Sequence, residues 1–283
     1  MPPYLDSSSL QARMQSARNL HRRLQHQRVD HHGAGIVLRE VEARLLEHIV
    51  GIKLSPTRAL THGFDSVEYV RNLRSIFKRS QWLYSAPIAP PLHRTRGRWW
   101  SRTPSVQHAS HLWPYRPTSI GLVISNLVAS NPATLPMFIE ESSRVLEADG
   151  LIAMSVLGPN TLKELRQAWQ SVDDQNHVAD FLDMHDVGDI LVENGFTGVV
   201  MDAETLTVTY PDLESALAEM RTLGVGNISP TRANKLTGVK RWQQVTRNYP
   251  HADGRTPVTL ELVYAHAWRG RPKNTAEVTL AWP

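Results

Sequence analysis

Ser119-Ile120-Gly121-Leu122-Val123-Ile124-Ser125-Asn126-Leu127-Val128 is the stretch whose reading decides the fold. Its run of branched apolar residues does not alternate with polar ones, which is what a strand buried on both faces of a parallel sheet requires. The spacing predicts a helix over 134–146, then a turn at Asp149-Gly150, then a second buried strand, Leu151-Ile152-Ala153-Met154-Ser155-Val156-Leu157. Strand, helix and strand in this order form a crossover unit of a doubly wound α/β sheet.

The same alternation extends in both directions. Upstream, Leu38, Val41, Leu45 and Ile49 recur at helical spacing over 38–50, with charges on the other face. Ser55-Pro56 breaks that helix, and Arg58-Ala59-Leu60 reads as a short strand. A helix over 66–77 is expected to bury Val67, Val70, Leu73, Ile76 and Phe77, and a second strand over 81–88 ends at Pro87, Pro90 and Pro91. Residues 93–118 are irregular and rich in Arg, Trp and Pro, and read as a loop or a poorly formed helix. Downstream, helices are expected over 161–172 and 184–194, the latter closed by Gly195, and a strand over 199–209. Asp212 caps a helix with Leu213, Leu217, Met220 and Leu223 inward, and 256–268 is a last long strand.

Composition bounds the class. The chain has 283 residues, 41% hydrophobic and 20% charged, so a packed core is within reach, and no apolar run approaches the ~18–20 residues of a membrane span. The absence of cysteine removes disulfides, thiolate metal sites and a thiol nucleophile. A net charge of +4 and a pI near 9.5 favour acidic partners without choosing among them. Residues 1–33, rich in Arg, Gln, Ser and His, read as an N-terminal arm ahead of one domain over 34–283. A mitochondrial presequence has a similar composition, but a cytoplasmic setting is the expectation.

Several segments carry a resemblance when taken in order. Arg144-Val145-Leu146 precedes Asp149-Gly150, and Gly158-Pro159-Asn160-Thr161-Leu162-Lys163-Glu164-Leu165 follows the second apolar strand. His177, Phe181 and Asp183-Met184-His185-Asp186 come next, then Met201-Asp202, Tyr210 and Leu223-Gly224. Val263-Tyr264-Ala265-His266-Ala267-Trp268 completes the set. This order resembles the malonyl-acyl carrier protein O-methyltransferases of biotin synthesis, within the class I S-adenosylmethionine (SAM) methyltransferases, and less closely a mitochondrial complex I assembly factor. The likeness runs over about 119–269. It implies a Rossmann-like sheet with an antiparallel last strand and a helical lid drawn from 159–190 and 211–250. SAM is the cofactor it implies and an acyl carrier protein the partner. Each segment also has a purely structural reading: Thr161 and Glu164 suit a capping box, Asp183 and Asp186 suit a helix start, and His177 and His185 suit packing or surface.

The cofactor residues are where the chain departs from that family. The resemblance implies an acid and then Gly-x-Gly-x-Gly after the first strand, because only glycine lets the backbone approach the ligand so closely. Here the acid becomes Thr61 and the turn becomes Gly63-Phe64-Asp65-Ser66-Val67. Ala86 stands where the ribose-binding acid is implied, Ala109 near the adenine position, and Gly121 where an Asp opens the fourth strand. Ser125-Asn126-Leu127 is kept, and Asp65 or Glu68 is available for recruitment. A hydrogen bond to a charged group is worth ~1.5–3 kcal/mol, so each missing carboxylate costs roughly tenfold in affinity. On the acceptor side the family offers a Tyr from the N-terminal arm, yet none occurs between Tyr4 and Tyr69, and Ser130-Asn131-Pro132 replaces an expected aromatic.

Other constellations are weaker. The 13 His include His31, His32, His108 and His111, none in a metal-binding spacing, and no Gly-x-Ser-x-Gly elbow exists. Arg94, Arg96, Arg98 and Arg102 surround Trp99-Trp100, which suits a lid, an acidic-partner surface or single-stranded nucleic acid. The expectation is therefore a pseudo-methyltransferase acting by binding. An active carboxyl O-methyltransferase on malonyl-acyl carrier protein and a nucleic-acid-binding module are the alternatives.

Overall fold

The computed structural model describes residues 35–63, 66–86, 105–107, 113–223, 225–227, 232 and 236–271. In chain order the described elements are α1 (Gly35–Val50), β1 (Arg58–His62), α2 (Val67–Ile76), β2 (Gln81–Ala86), β3 (Ser105–Gln107), β4 (Ile120–Asn126) and α3 (Leu135–Val145). Then follow β5 (Leu146–Leu157), α4 (Lys163–Gln170), α5 (Met184–Glu193), β6 (Phe196–Tyr210), α6 (Leu213–Thr222), α7 (Val239–Asn248) and β7 (Thr256–Arg269). The strands join in one sheet of order β3-β2-β1-β4-β5-β7-β6. β7 alone opposes its neighbours, pairing antiparallel with both β5 and β6. The sheet is thus Rossmann-like with an antiparallel last strand, and the order reverses between β1 and β4, the place where such sheets open a crevice.

The apolar runs explain the layers. β4 sends Leu122 and Ile124 to one face and Ile120 and Val123 to the other, each fully buried. The first face packs against Val37, Val41, Leu45 and Ile49 of α1 and Tyr69 and Leu73 of α2. The second packs against Phe138 and Ile139 of α3 and Val187 and Leu191 of α5. Each such large side chain contributes about 1.5–3 kcal/mol on burial.

Several local expectations are corrected. In α1 Val37 is buried and Leu38 only half-buried. In α2 Tyr69 and Leu73 are buried, with Phe77 just beyond, while Val70 and Ile76 are only half-buried and the Val67 side chain is not among those described. The Tyr69 ring, with more apolar surface to bury than the neighbouring aliphatic side chains, takes the inward place. Within 93–118, expected as a loop or a poorly formed helix, lies a short strand: Ser105–Gln107 pairs parallel with β2. Three residues with one apolar side chain carry no periodicity, so only the sheet edge reveals them. The Asp149-Gly150 turn is absorbed into β5, where the register with β4 shifts and Asp149 takes φ 60°. The capping box at Thr161 is also absent. Leu162 occupies the N-cap of α4 at φ 57°, and both Thr161 and Glu164 turn to β7 instead. By contrast, Asp183 and Asp212 cap α5 and α6, accepting from the backbone N–H groups of His185 and Asp186 and of Ser215.

Candidate functional site

The crevice lies at the carboxyl ends of β1 and β4. Register sets Ser125 beside His62 and Asn126 beside Ser155 of β5. Gly63 follows β1 directly, and its N–H donates to the Ser85 carbonyl at 2.9 Å, extending the ladder with β2. Gly63 takes φ 156°, and a Cβ built there would stand 2.9 Å from Val128 Cγ2 and 3.6 Å from the Asn126 carbonyl oxygen. The space against the first glycine of the turn is therefore taken by a side chain from the loop after β4. Gly121 is likewise constrained: a Cβ there would meet Pro56 Cβ at 2.9 Å and Pro56 Cα at 3.2 Å. An Asp at the start of this strand has no room, which accounts for that departure physically.

The structure brings Gly63, Ser125 and Asn126 together. Ala86 ends β2 in register with Gln107, while Asp65, Ala109, Arg94, Arg96, Arg98 and Arg102 lie outside the described residues, as do His31, His32, His108 and His111. Glu68 is exposed on the first turn of α2. At the strand ends the polar groups are neutral. Thr61, Ser125 and Asn126 are each 1% exposed, and Thr61 Oγ1, Ser125 Oγ and Asn126 Nδ2 have no hydrogen-bond partner among the described residues. Such atoms cost about 1–3 kcal/mol each when left unpaired.

Across the switch point the polar groups close on one another. Ser155 Oγ donates to Asn126 Oδ1 at 2.7 Å and accepts from the Leu127 N–H at 3.1 Å. Ser130 Oγ donates to the Leu127 carbonyl at 2.6 Å and accepts from the Leu157 N–H at 3.1 Å. This network holds Leu127 at φ 56°, a left-handed conformation unfavourable for a branched-chain residue. Further along, Glu164 is buried on β7, accepting from Thr259 N–H at 3.1 Å and pairing closely with Thr259 Oγ1. Trp169 stacks on His177 with ring centroids 3.5 Å apart, and Asp173 bonds His177 Nε2 at 2.9 Å and also pairs with Arg241 of α7. Burial holds the His177 pKa below the ordinary histidine value in spite of that carboxylate.

Sequence reasoning missed three residues here. His62 is buried between Trp113 and Phe138, at centroid distances of 5.3 and 5.5 Å, and its Nδ1 lies 2.9 Å from Ser85 Oγ. Burial pushes the nearby Tyr115 phenol up to about 12, with a hydrogen bond to Ser85 opposing it. Ser155 was visible as the one polar residue of an apolar strand. Glu42 of α1, 3% exposed, accepts from Ser66 N–H and Oγ, both at 2.6 Å. Its only signal was a carboxylate next to Val41 on the apolar side of a helix. Among the described residues no cluster of His, Asp and Glu is placed to hold a metal ion, and no helix is long and apolar enough to cross a membrane.

Comparison with known proteins gives this geometry its family. No protein-family model matches the chain. It is, however, 37% identical over 252 residues to a malonyl-[acyl-carrier protein] O-methyltransferase of Gallionella capsiferriformans, spanning 85% of this chain and 86% of that protein. The chain belongs to this family. The enzyme of the same description from Halorhodospira halophila is 36% identical over 87% of each chain. That from Legionella pneumophila is 31% identical over 89% of this chain and 91% of its own. Among solved structures, the YcgJ protein of Bacillus subtilis superposes with a TM-score of 0.53 at 9% identity, covering 83% of this chain and 100% of that one. A proposed methyltransferase of Bacillus halodurans gives 0.51 at 13% identity, covering 81% and 99%. The fold of this family member is therefore the Rossmann-like class I methyltransferase fold. Its strands β1 and β2 end in Thr61-His62 and Ser85-Ala86, without a carboxylate.

Proposed function

We propose that this family member is a pseudo-methyltransferase that acts by binding, with an acyl carrier protein as its partner in a cytoplasmic setting. The observation that carries the reading is the contact at Gly63, where Val128 fills the space beside a turn that has lost two of its three glycines. The Val128 contact at Gly63 and the absence of a carboxylate at Ala86 act in the same direction, and a lost charged hydrogen bond costs roughly tenfold in cofactor affinity. The partner follows from the family, whose members named above are enzymes of a malonyl-acyl carrier protein, and from the net charge of +4. The helices over 159–190 and 211–250 are proposed as the lid that meets it, with Arg94, Arg96, Arg98 and Arg102 adding positive charge for an acidic surface.

Calorimetric titration of the folded chain with SAM and with S-adenosylhomocysteine tests this. No heat at millimolar ligand is expected, and micromolar binding would sink the reading. The second reading, an active methyltransferase on the carboxylate of malonyl-acyl carrier protein, is favoured by the unpartnered Thr61, Ser125 and Asn126 atoms. Buried polar atoms of this kind ask for a polar ligand or water. Transfer of labelled methyl from SAM to malonyl-acyl carrier protein is the assay for it.

A further inference from the structure

The outer edge of the sheet takes no part in the crevice, yet its backbone is laid out for pairing. β6 stands at the end of the strand order and runs for 15 residues, well beyond the ordinary strand length of about 5–6. Which of its backbone groups face outward follows from the ladder. The Gly158 N–H donates to the Glu261 carbonyl at 2.9 Å, so Glu261 turns its backbone groups to β5, and the alternate residues of β7 turn theirs to β6. In the β6–β7 register, Leu260, Leu262 and Tyr264 stand opposite Leu206, Glu204 and Asp202, which therefore carry the bonds between these strands. Ala203, Thr205 and Thr207 are left with N–H and C=O groups pointing away from β7, and none of the described residues bonds to them.

Both ends of β6 are blunted, and the middle is not. Near its start the register with β7 shifts between Thr197 and Val200, with Gly198 at φ 58°, a bulge that bends an edge away from would-be partners. Near its end Arg255 donates to the Thr209 carbonyl at 2.9 Å and to Thr209 Oγ1 at 3.1 Å. Between these lies a window without the Lys or Pro that usually guards an edge. Ala203, Thr205 and Thr207 are exposed and uncharged, and the branched threonines suit a strand. Glu204 does not guard the window either, because it pairs with Arg44 of α1.

The window is complementary to itself. Antiparallel pairing about a two-fold axis at Thr205 sets that residue against its own copy and Ala203 against Thr207, so each outward donor meets an outward acceptor. Asp202, its side chain 60% exposed, marks one end of the window, and Arg255 marks the other. The two-fold axis brings the acid of each copy to the end where the base of the other lies, whereas parallel pairing would align like charges. We infer that β6 is a dimerisation edge, where a second copy of the chain adds its own β6 antiparallel and joins the two sheets into one. An isologous contact of this kind closes at two copies. The inference stands apart from the function proposed above.

Sedimentation equilibrium of the full chain tests this, for the wild type, Thr205→Pro and Thr207→Lys, from micromolar to sub-millimolar concentration. Thr205→Pro removes an N–H that points outward, so the ladder to β7 is kept, and Thr207→Lys sets a charge against Ala203 of the second copy. The wild type should dimerise reversibly, and each variant should weaken the dimer roughly tenfold or more. A wild type that stays monomeric, assembly beyond two copies, or a dimer equally tight in both variants overturns the inference. If Thr205→Pro does not fold, Thr207→Lys decides the matter alone, because it leaves every backbone group in place.

Discussion

Two sides of the crevice treat their polar groups in opposite ways. On the side of β5 and the loop after β4, Asn126 Oδ1, Ser155, Ser130 and the backbone of Leu127 and Leu157 bond to one another and hold a strained loop. On the side of the β1 and β4 ends, Thr61 Oγ1, Ser125 Oγ and Asn126 Nδ2 are left unpartnered among the described residues, and Gly63 is pressed by Val128. A frame whose members satisfy each other survives without a ligand, because removing any one of them exposes a buried partner. A position that was satisfied only by a ligand has no such internal partner. Once the ligand is lost, nothing opposes drift at that position. The difference thus separates polar groups that hold one another from polar groups that leave room for a ligand or water.

The largest effect is expected where a buried carboxylate of α4 meets β7, a second self-satisfied group beside the closed network. Glu164→Ala leaves Thr259 N–H and Oγ1 buried without their acceptor, and a loss of about 2–4 kcal/mol is expected in the urea midpoint. Ser155→Ala leaves Asn126 Oδ1 without its donor, while the Leu127 N–H keeps its bond to the Ser155 carbonyl, and a loss of about 1–3 kcal/mol is expected by the same measurement. A loss close to zero for both variants would mean that the two sides do not differ.

His177 sharpens the comparison through pH. Its folded pKa lies below its unfolded value because burial on Trp169 disfavours the imidazolium. The unfolded chain therefore binds more protons, and the stability due to His177 is present above about pH 6.5 and is lost as pH falls through the folded value. Stability curves measured from neutral to mildly acidic pH should flatten in His177→Gln. An unchanged slope would remove the histidine from the account.

The smallest effect belongs to β1. Thr61→Val replaces an unpartnered hydroxyl by a methyl of similar shape, so stability should stay within about 1 kcal/mol of the wild type or rise. Destabilisation beyond that would show that the hydroxyl holds a water or ligand, and the contrast between the sides would fail.

Much of the fold was legible because its signals are local. The unbroken apolar runs of β4 and β5 named buried parallel strands, and Asp183 and Asp212 marked helix starts that the backbone uses. β3 was not legible, since a strand of three residues is defined by its hydrogen bonds to β2 and not by any pattern of its own. The capping box at Thr161 and Glu164 failed for a related reason. A local bond to the α4 N-terminus competed with bonds to β7, 95 or more residues away, and the buried partners won. At the site, the replacements Thr61, Ala86 and Gly121 were plain in the sequence, but Glu42, His62 and Ser155 were not linked to them.

By itself, then, the amino-acid order determined the strand and helix sequence of an α/β sheet and the family likeness. These follow from periodicity and from residue type at a given place in the chain. Only the tertiary structure decided that Val128 lies against Gly63, that Pro56 forbids a side chain at Gly121, and that Glu42 reaches the start of α2. Each of these depends on two elements meeting at van der Waals or hydrogen-bond distance. No local pattern encodes such a meeting, because it is set by how the whole sheet stacks its helices.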